Sequence, residues 1–182
     1  MKQRIAIDMD EVIADMVAKH LAMYNRHFGQ TLTKRDLHGV KLRKYVPAEQ
    51  VPLLTDWLYA DDFFRDLPVI PGSQEVVRAL MERYDIFITT AAMEYPTSFP
   101  AKYAWLKEHF PFIPDSHLVF CGDKSIVHAD FLIDDNARHF PGFAGKGILF
   151  SAPHNMRETA YTRVNDWQEV ARLFLHDDPR RL

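Results

Sequence analysis

The amino-acid sequence predicts an α/β fold in which a parallel sheet of five strands lies between helices. Short apolar runs bounded by turn residues recur along the chain and are typical of strands covered on both faces. Segments with helical periodicity separate these runs, and strands that alternate with helices favour a parallel sheet with right-handed crossovers. The predicted strands are residues 5–7, 85–90, 117–121, 129–134 and 147–151.

Apolar residues at helical spacing predict the helices that connect these strands. Pro71-Gly72-Ser73 is a typical start signal for the helix that leads into the second strand. Asn and Asp side chains accept hydrogen bonds from the first turn of a helix, so either residue type can begin the last one. The predicted helices are residues 16–28, 74–84 and 100–110, and a last helix capped by Asn165 or Asp166.

One long segment does not fit the alternation of strands and helices. Residues 35–67 contain no good strand and instead have the pattern of short helices that pack through aromatic side chains. Such a segment is too long for a single crossover loop. We therefore expect residues 16–68 to form a small helical cap inserted after the first strand, and residues 1–15 and 69–182 to form the core. Residues 177–182 are expected to form a frayed tail.

The composition is ordinary for a globular protein and argues against several classes of function. The 182 residues are 47% hydrophobic and 26% charged, with a formal net charge of −3. This balance gives no electrostatic basis for binding a nucleic-acid polymer or an anionic membrane. Cys121 is the only cysteine, so no intrachain disulfide can form, and we find no signal peptide or membrane-spanning segment. We therefore expect a cytoplasmic protein.

Polar side chains suited to phosphoryl chemistry lie at, or just after, the carboxyl ends of four of the five predicted strands. They are Asp8 and Asp10, Thr90, Lys124, and Asp134 and Asp135. The carboxyl ends of parallel strands meet at one edge of a sheet, where α/β proteins bind their ligands. Carboxylate oxygens favour Mg²⁺, whereas zinc prefers His or Cys ligands. Lysine and threonine suit the oxygens of a phosphoryl group, whose transfer depends on positioning and charge stabilisation. The sequence therefore predicts a magnesium site that binds a phosphoryl group.

These residues resemble the motifs of the haloacid dehalogenase (HAD) superfamily of phosphatases. Asp8-Met9-Asp10-Glu11-Val12 is similar to the first motif and Thr90 to the second. Lys124 is similar to the third motif and Ile133-Asp134-Asp135 to the fourth. The order and spacing of the motifs agree, and the match covers nearly the whole chain. The resemblance implies a Rossmann-like core.

A narrower resemblance is to the 5'(3')-deoxyribonucleotidase family. The similar segments are residues 102–105, 123–127, 129–135 and 150–155. That family uses magnesium to dephosphorylate deoxynucleoside monophosphates, and its fold is a Rossmann-like core with a small helical cap. The resemblance implies that the partner is a small phosphomonoester, most naturally a nucleotide. The oligomeric state is left open, with a homodimer among the alternatives.

The resemblance also implies roles for the acidic residues. Asp8 is the expected nucleophile, which forms an aspartyl-phosphate, and it is also a ligand of the metal. Asp10 is expected to protonate the leaving alkoxide and then to accept a proton from water, while its backbone carbonyl faces the metal. Adjacent strand residues alternate in direction, so Asp134 and Asp135 should not point the same way. The resemblance implies that Asp135 binds the metal directly and that Asp134 supports it.

Four further residues are expected to bind the phosphate. The hydroxyl of Thr90 and the backbone N–H of Ala91 are the predicted donors at the end of the second strand. Lys124 is expected to hold both the nucleophile and the phosphate. The family places Lys102 near the phosphate, although an exposed lysine on a helix is an almost equal alternative.

The chain departs from the family pattern at several positions. The departures are Glu11 in place of a glycine, Ala91-Ala92 in place of Ser-Pro, Met16 in place of a phenylalanine, Val40-Lys41-Leu42 in place of Phe-Trp-Val, and Gly122 in place of an arginine. The aromatic contacts to the base are thus missing, which keeps a sugar phosphate or another small phosphometabolite as an alternative substrate. An alternative of another class is a phosphate-ligand binding protein without turnover.

Overall fold

The sheet has six strands in a computed structural model that describes residues 2–177 and Pro179. All neighbouring strands are parallel, and their order is β3-β2-β1-β4-β5-β6. The α/β fold and the parallel sheet are confirmed, but the predicted number of five strands is wrong. The strands are β1 (Arg4–Asp8), β2 (Asp85–Thr90), β3 (Leu118–Phe120), β4 (Phe131–Asp134), β5 (Lys146–Phe150) and β6 (Arg163–Val164).

The additional strand, β6, escaped prediction because it is only two residues long. It pairs with the end of β5 through Leu149 with Arg163 and Phe150 with Val164. Two residues are too few to show the alternation or the apolar run by which strands are recognised in a sequence.

Strand β1 lies at the centre of the sheet and positions the residues that follow it. Ile5, Ala6 and Ile7 are fully buried, as expected for a strand covered on both faces. Ile7 pairs with Ile88 of β2 on one side and with Ile133 of β4 on the other. The chain reverses its direction across the sheet between β1 and β4, and such a switch point opens a crevice at the strand ends.

Helices cover the sheet and fill the segments between its strands. The α-helices are α1 (Met16–Phe28), α2 (Leu42–Tyr45), α3 (Val51–Tyr59), α4 (Ser73–Met81), α5 (Phe99–His109) and α6 (Trp167–Ala171). A π-helix over Arg172–His176 follows α6. Short 3₁₀ helices cover Lys34–Leu37, Ala48–Gln50, Ala92–Glu94, Pro96–Ser98, Asp115–His117, Lys124–Ile126, Ala137–His139 and Pro153–Asn155.

The predicted helices agree with this arrangement to within a few residues. Helix α1 has the predicted bounds; the Asp15 side chain accepts a hydrogen bond from Ala18 N, and Gly29 ends the helix with a φ of 63°. At α6 the side chain that caps the helix is that of Asp166, which accepts a hydrogen bond from Glu169 N. Most of the predicted tail lies outside the residues that the structure describes.

The segment between β1 and α4 forms helices and leaves and rejoins the sheet at one place. Asp15 N donates to the carbonyl of Pro68 over 2.8 Å, and Ile70 N donates to the carbonyl of Ile13 over 2.8 Å. A separate group of buried residues lies wholly inside this segment: Leu21, Tyr24, Leu37, Leu42, Val46 and Leu54. The segment therefore buries apolar surface of its own, in addition to its contacts with the main core.

None of the helices in the described part of the chain combines the length and the apolar character needed to cross a membrane.

Candidate active site

Lys124 joins two carboxylates that come from different strands. Its Nζ donates to Asp134 Oδ2 over 2.6 Å and also to Asp8 Oδ1. All three side chains are buried, with exposed fractions between 1% and 8%. Burial lowers the pKa of Lys124, but the two carboxylates have the opposite and larger effect, so the net shift is upward. Lys124 therefore stays charged and compensates only part of the negative charge around it.

The structure brings Asp135 to the same place as Asp134. One oxygen from each of Asp8, Asp134 and Asp135 lies within 4.8 Å of the other two. The expected alternation does not apply because β4 ends at Asp134, so Asp135 belongs to the loop. Asp134 uses one oxygen for Lys124 and the other for Asn136 N, at 2.8 Å. Among the described residues, the one basic group paired with the Asp135 carboxylate is His154 Nε2, at 3.6 Å, which leaves the Asp135 oxygens available to a ligand.

The three carboxylates carry more negative charge than Lys124 can balance. If all are ionised, the cluster of Asp8, Asp134, Asp135 and Lys124 has two uncompensated negative charges. Burial, opposed by Lys124, raises the pKa of Asp8 to about 7. Burial and the neighbouring carboxylates raise the pKa of Asp135 well above its usual range. Such a site is electrostatically incomplete without a cation.

Asp10 and Lys102 form a second ion pair beside this cluster. Lys102 Nζ donates to Asp10 Oδ2 over 2.5 Å and to Thr90 Oγ1 over 2.9 Å. Its Nζ also lies 4.5 Å from the centroid of the Phe64 ring, and only 1% of the residue is exposed. Lys102 is thus a buried residue of the site, and the alternative of an exposed helix lysine is wrong. The other oxygen of Asp10 is buried and has no hydrogen-bond partner among the described residues.

A cavity of about 120 Å³ lies between the strand ends and the helices that follow β1. The sequence-predicted residues on its wall are Asp8, Asp10, Ala91, Lys102, Asp134 and Asp135. Thr90 and Lys124 are not on this wall; they contact the residues that are, since Thr90 binds Lys102, and Lys124 binds Asp8 and Asp134. Both are therefore placed to support the charged groups of the cavity.

Several residues at the site were missed by sequence reasoning. Asn155 Nδ2 donates to the carbonyls of Asp135 and Phe150, each over 2.7 Å, and so holds the loop that carries Asp135. His154 and His20 line the cavity, although the histidines showed no metal-ligand spacing. The similarity of residues 150–155 to the nucleotidase family was the one signal for Asn155 and His154.

Glu11 replaces the glycine of the family motif and has a φ of 58°, in the left-handed region that favours glycine. The residue is 3% exposed, and its side chain accepts a hydrogen bond from Val17 N over 2.6 Å. Lys34 Nζ lies 3.7 Å from its other oxygen. Burial, opposed by Lys34, raises the pKa of Glu11 to about 7. The glutamate thus gives the first turn of α1 a hydrogen bond that glycine lacks.

Replacing Lys124 by methionine should strongly destabilise the metal-free protein near neutral pH. Two buried carboxylates lose their shared counter-charge, and breaking a buried pair in this way costs about 3–5 kcal/mol of unfolding free energy. The loss should be smaller at pH 5, where protonation removes part of the unpaired charge. Urea denaturation at pH 8 and pH 5 measures both effects.

The matched control is Lys107→Met, which removes an exposed lysine from its surface pair with Asp115. It should change the urea midpoint little at either pH, because exposed ion pairs contribute little to stability. Equal losses in the two variants would contradict the role assigned to Lys124.

The comparison with known families agrees with this geometry. The family model for cytosolic type C 5' nucleotidases, deoxy (pyrimidine), matches residues 2–178. The chain belongs to this 5' nucleotidase family. It is therefore a hydrolase of phosphoric monoesters, as the resemblance of its motifs implied.

Relatives of the nucleotidase cover almost the whole chain. A 5'(3')-deoxyribonucleotidase from Bacillus subtilis is 41% identical over 176 residues, which are 96% of this chain and 100% of the relative. A Staphylococcus epidermidis protein, provisionally named for the same activity, is 47% identical over 173 residues, 95% of this chain and 96% of its own.

The nucleotidase shares its fold with solved structures of HAD-like hydrolases. A HAD-like family hydrolase from Streptococcus pneumoniae superposes with a TM-score of 0.62 at 13% identity, covering 95% of this chain and 98% of its own. A HAD hydrolase from Bacillus subtilis, solved bound to magnesium, superposes with a TM-score of 0.59 at 13% identity. The match covers 96% of this chain and 99% of the Bacillus subtilis chain.

Proposed function

We propose that this nucleotidase is a magnesium-dependent 5'(3')-deoxyribonucleotidase that works through an aspartyl-phosphate on Asp8. The observation that carries the proposal is the meeting of Asp8, Asp134 and Asp135 around one position, with two negative charges left uncompensated by Lys124. The unpartnered, buried oxygen of Asp10 beside this position is the second support.

The residues present fit a magnesium ion. Their donor atoms are carboxylate oxygens, which Mg²⁺ prefers, and their excess charge matches that of a divalent cation. Asp8 and Asp135 are the direct ligands in this proposal, since both oxygens of Asp134 already have protein partners. The bound ion would supply positive charge that keeps Asp8 ionised and reduces the electrostatic repulsion between Asp8 and the phosphate. Magnesium is also the ion found in the Bacillus subtilis HAD hydrolase.

The reaction follows from the positions of the two aspartates. Asp8 attacks phosphorus, the bond to the leaving oxygen breaks, and Asp10 gives that oxygen a proton. Water then attacks the aspartyl-phosphate, and Asp10 takes a proton from it, which restores both residues and releases phosphate. Lys102 lies on the cavity wall and neutralises charge on Asp10 and the phosphate. Lys124 orients the Asp8 carboxylate and Thr90 orients the Lys102 ammonium, both from outside the cavity wall. The N–H of Ala91 completes the phosphate site.

Residues 16–68 form the cap in this proposal. They leave and rejoin the sheet at neighbouring residues, Asp15 and Pro68, and they contribute side chains such as Val17 and Leu42 to the cavity wall. Lys41 and Arg43 of the same segment also line the cavity, whereas Lys44 does not. The cap therefore surrounds the leaving group, while the strand ends hold the phosphate.

Substrate identity is tested by a turnover panel at saturating Mg²⁺. We expect deoxynucleoside 5'- and 3'-monophosphates to be hydrolysed with higher kcat/KM than hexose phosphates. The named activity of the Bacillus subtilis relative supports this expectation. Preference for sugar phosphates over all nucleotides would overturn the assignment of nucleotides as the substrate but would leave the proposed phosphatase chemistry in place. Absence of turnover with every phosphomonoester would overturn the proposed function.

Magnesium should stabilise the protein more at pH 8 than at pH 5. The folded-state pKa values of Asp8 and Glu11 are about 7, above the ordinary values of 3.8 and 4.5. The folded state therefore binds these protons more tightly, and metal-free stability falls as the pH rises from about 4 to about 7. A bound cation offsets this loss once the carboxylates are ionised. At a concentration of 100 times its Kd it adds about 2.7 kcal/mol, or roughly 5–10 °C in Tm for a chain of this size.

Thermal unfolding with Mg²⁺ or with EDTA at the two pH values measures this effect. Asp135→Asn should remove most of the magnesium-induced shift because Asp135 is the ligand with the freest oxygens. An undiminished shift in that variant would place the ion elsewhere. The cytoplasmic location stays a prediction, and the oligomeric state stays open.

A further inference from the structure

His20 has a buried nitrogen that the proposed reaction does not use. The residue lies on α1, is 4% exposed, and lines the active-site cavity. Its Nε2 has no hydrogen-bond partner among the residues that the structure describes. Leaving a buried polar atom without a partner is costly, so such an atom beside a cavity points to a ligand group that completes it.

The ring of His20 is held in place by contacts that leave Nε2 free. It packs edge-on against Trp57 and Phe63, with ring centroids 6.0 and 5.6 Å away. The backbone of Leu54 hydrogen-bonds to the ring. Because Nε2 has no partner and a neutral imidazole donates through one nitrogen and accepts through the other, we assign the ring proton to Nδ1, which leaves Nε2 as the acceptor.

The surroundings keep the imidazole neutral. Burial, reinforced by the positive charge of Arg43, lowers the pKa of His20 to about 4. At neutral pH the free nitrogen therefore offers a lone pair and no proton. It can accept a hydrogen bond from an N–H or O–H group, and it gains nothing from a phosphate oxygen.

The position of His20 on α1 indicates which part of the substrate it contacts. His20 follows Met16 by one turn of α1, which places it roughly 6 Å farther along the helix from the strand ends. Met16, Leu58 and Phe64 line the cavity beside it and form an apolar wall. A flat heteroaromatic ring with N–H groups at its edge fits such a wall with a single acceptor better than a sugar does.

We propose that Nε2 of His20 accepts a hydrogen bond from an N–H group of the nucleobase, which makes His20 a specificity-determining residue. The inference rests on the proposed nucleotidase function and gives it a base-reading contact in a chain that lacks the aromatic residues of the family at Met16 and at positions 40–42.

The test compares substrates with and without a base. The probes are the four deoxynucleoside 5'-monophosphates and 2-deoxyribose 5-phosphate, which has the same sugar and phosphate but no base. In His20→Phe, which keeps an aromatic ring against Trp57 and Phe63, the ratio of kcat/KM for the best nucleotide to that for the abasic phosphate should fall about tenfold or more. His20→Gln, whose amide oxygen can accept near the position of Nε2, should restore part of the ratio.

The matched control is His27→Phe. His27 lies on the same helix and also contacts Trp57, at 5.7 Å between ring centroids, but it does not line the cavity. In His27→Phe the ratio of kcat/KM for the best nucleotide to that for the abasic phosphate should equal the wild-type ratio. If His20→Phe fails to fold, His20→Leu provides the same comparison with a smaller side chain.

An unchanged ratio of the two kcat/KM values in the His20 variants would overturn the inference. If both kcat/KM values fall equally, His20 has a structural role or contacts the sugar. A wild type that hydrolyses the abasic phosphate as well as every nucleotide would also overturn the inference, while the phosphatase chemistry would stand. A wild type without phosphatase activity would instead overturn the proposed function itself.

Discussion

Asp8→Asn should abolish hydrolysis of every phosphomonoester, with a loss of at least about 10⁴-fold in kcat, because the amide cannot form the phosphoenzyme. The variant should nevertheless fold. Burial disfavours the ionised form of Asp8 and raises its pKa to about 7, so the charge costs stability in the metal-free protein at pH 8. Asparagine removes that cost, while Lys124 keeps Asp134 as its partner.

Two measurements separate this result from simple unfolding. Turnover is followed with a deoxynucleotide and with 4-nitrophenyl phosphate, and Tm is followed without metal at pH 8. We expect the Tm of Asp8→Asn to equal or exceed that of the wild type. Asp115→Asn, which changes an exposed carboxylate outside the cavity, should keep full turnover. Substantial hydrolysis of 4-nitrophenyl phosphate by Asp8→Asn would refute Asp8 as the nucleophile.

The acidic part of the site could be predicted because strand ends are visible in the sequence. Ile5, Ala6 and Ile7 form an apolar run, so the acids that follow it must lie at the edge of the sheet. The same argument placed Asp134 and Asp135 beside Asp8, and the structure brings these carboxylates together. Parallel pairing joins residues far apart in the chain by a simple rule, which explains why this part of the inference succeeded.

The other parts of the candidate site depend on tertiary contacts, which no simple rule connects to the spacing of residues in the sequence. Lys102 lies on a helix of no clear amphipathic pattern, so its burial against Asp10 and Phe64 could not be inferred from spacing. The free nitrogen of His20 results from the packing of α1 against Trp57 and Phe63. Whether Asp135 points to the site depends on where β4 stops, and a shift of one residue reverses the expected side.

Asp10→Asn should slow nucleotide hydrolysis by about 10²–10⁴-fold, the usual contribution of a positioned acid–base group. Asparagine keeps an oxygen for Lys102 but cannot carry a proton to the leaving alkoxide. The buried oxygen of Asp10 that has no partner among the described residues is the one placed to exchange that proton. Formation of the phosphoenzyme should therefore become rate-limiting when the leaving group is a nucleoside.

With 4-nitrophenyl phosphate the same variant should behave differently, because the nitrophenolate leaves without needing a proton. Phosphoenzyme formation then stays fast, whereas its hydrolysis is slow because Asp10 no longer activates water. Rapid-mixing experiments should show a burst of one nitrophenolate per protein, followed by slow turnover, and the burst should be absent in Asp8→Asn. Equal slowing of both substrates without a burst would mean that Asp10 acts by positioning Lys102, and its assignment as the proton donor would be wrong.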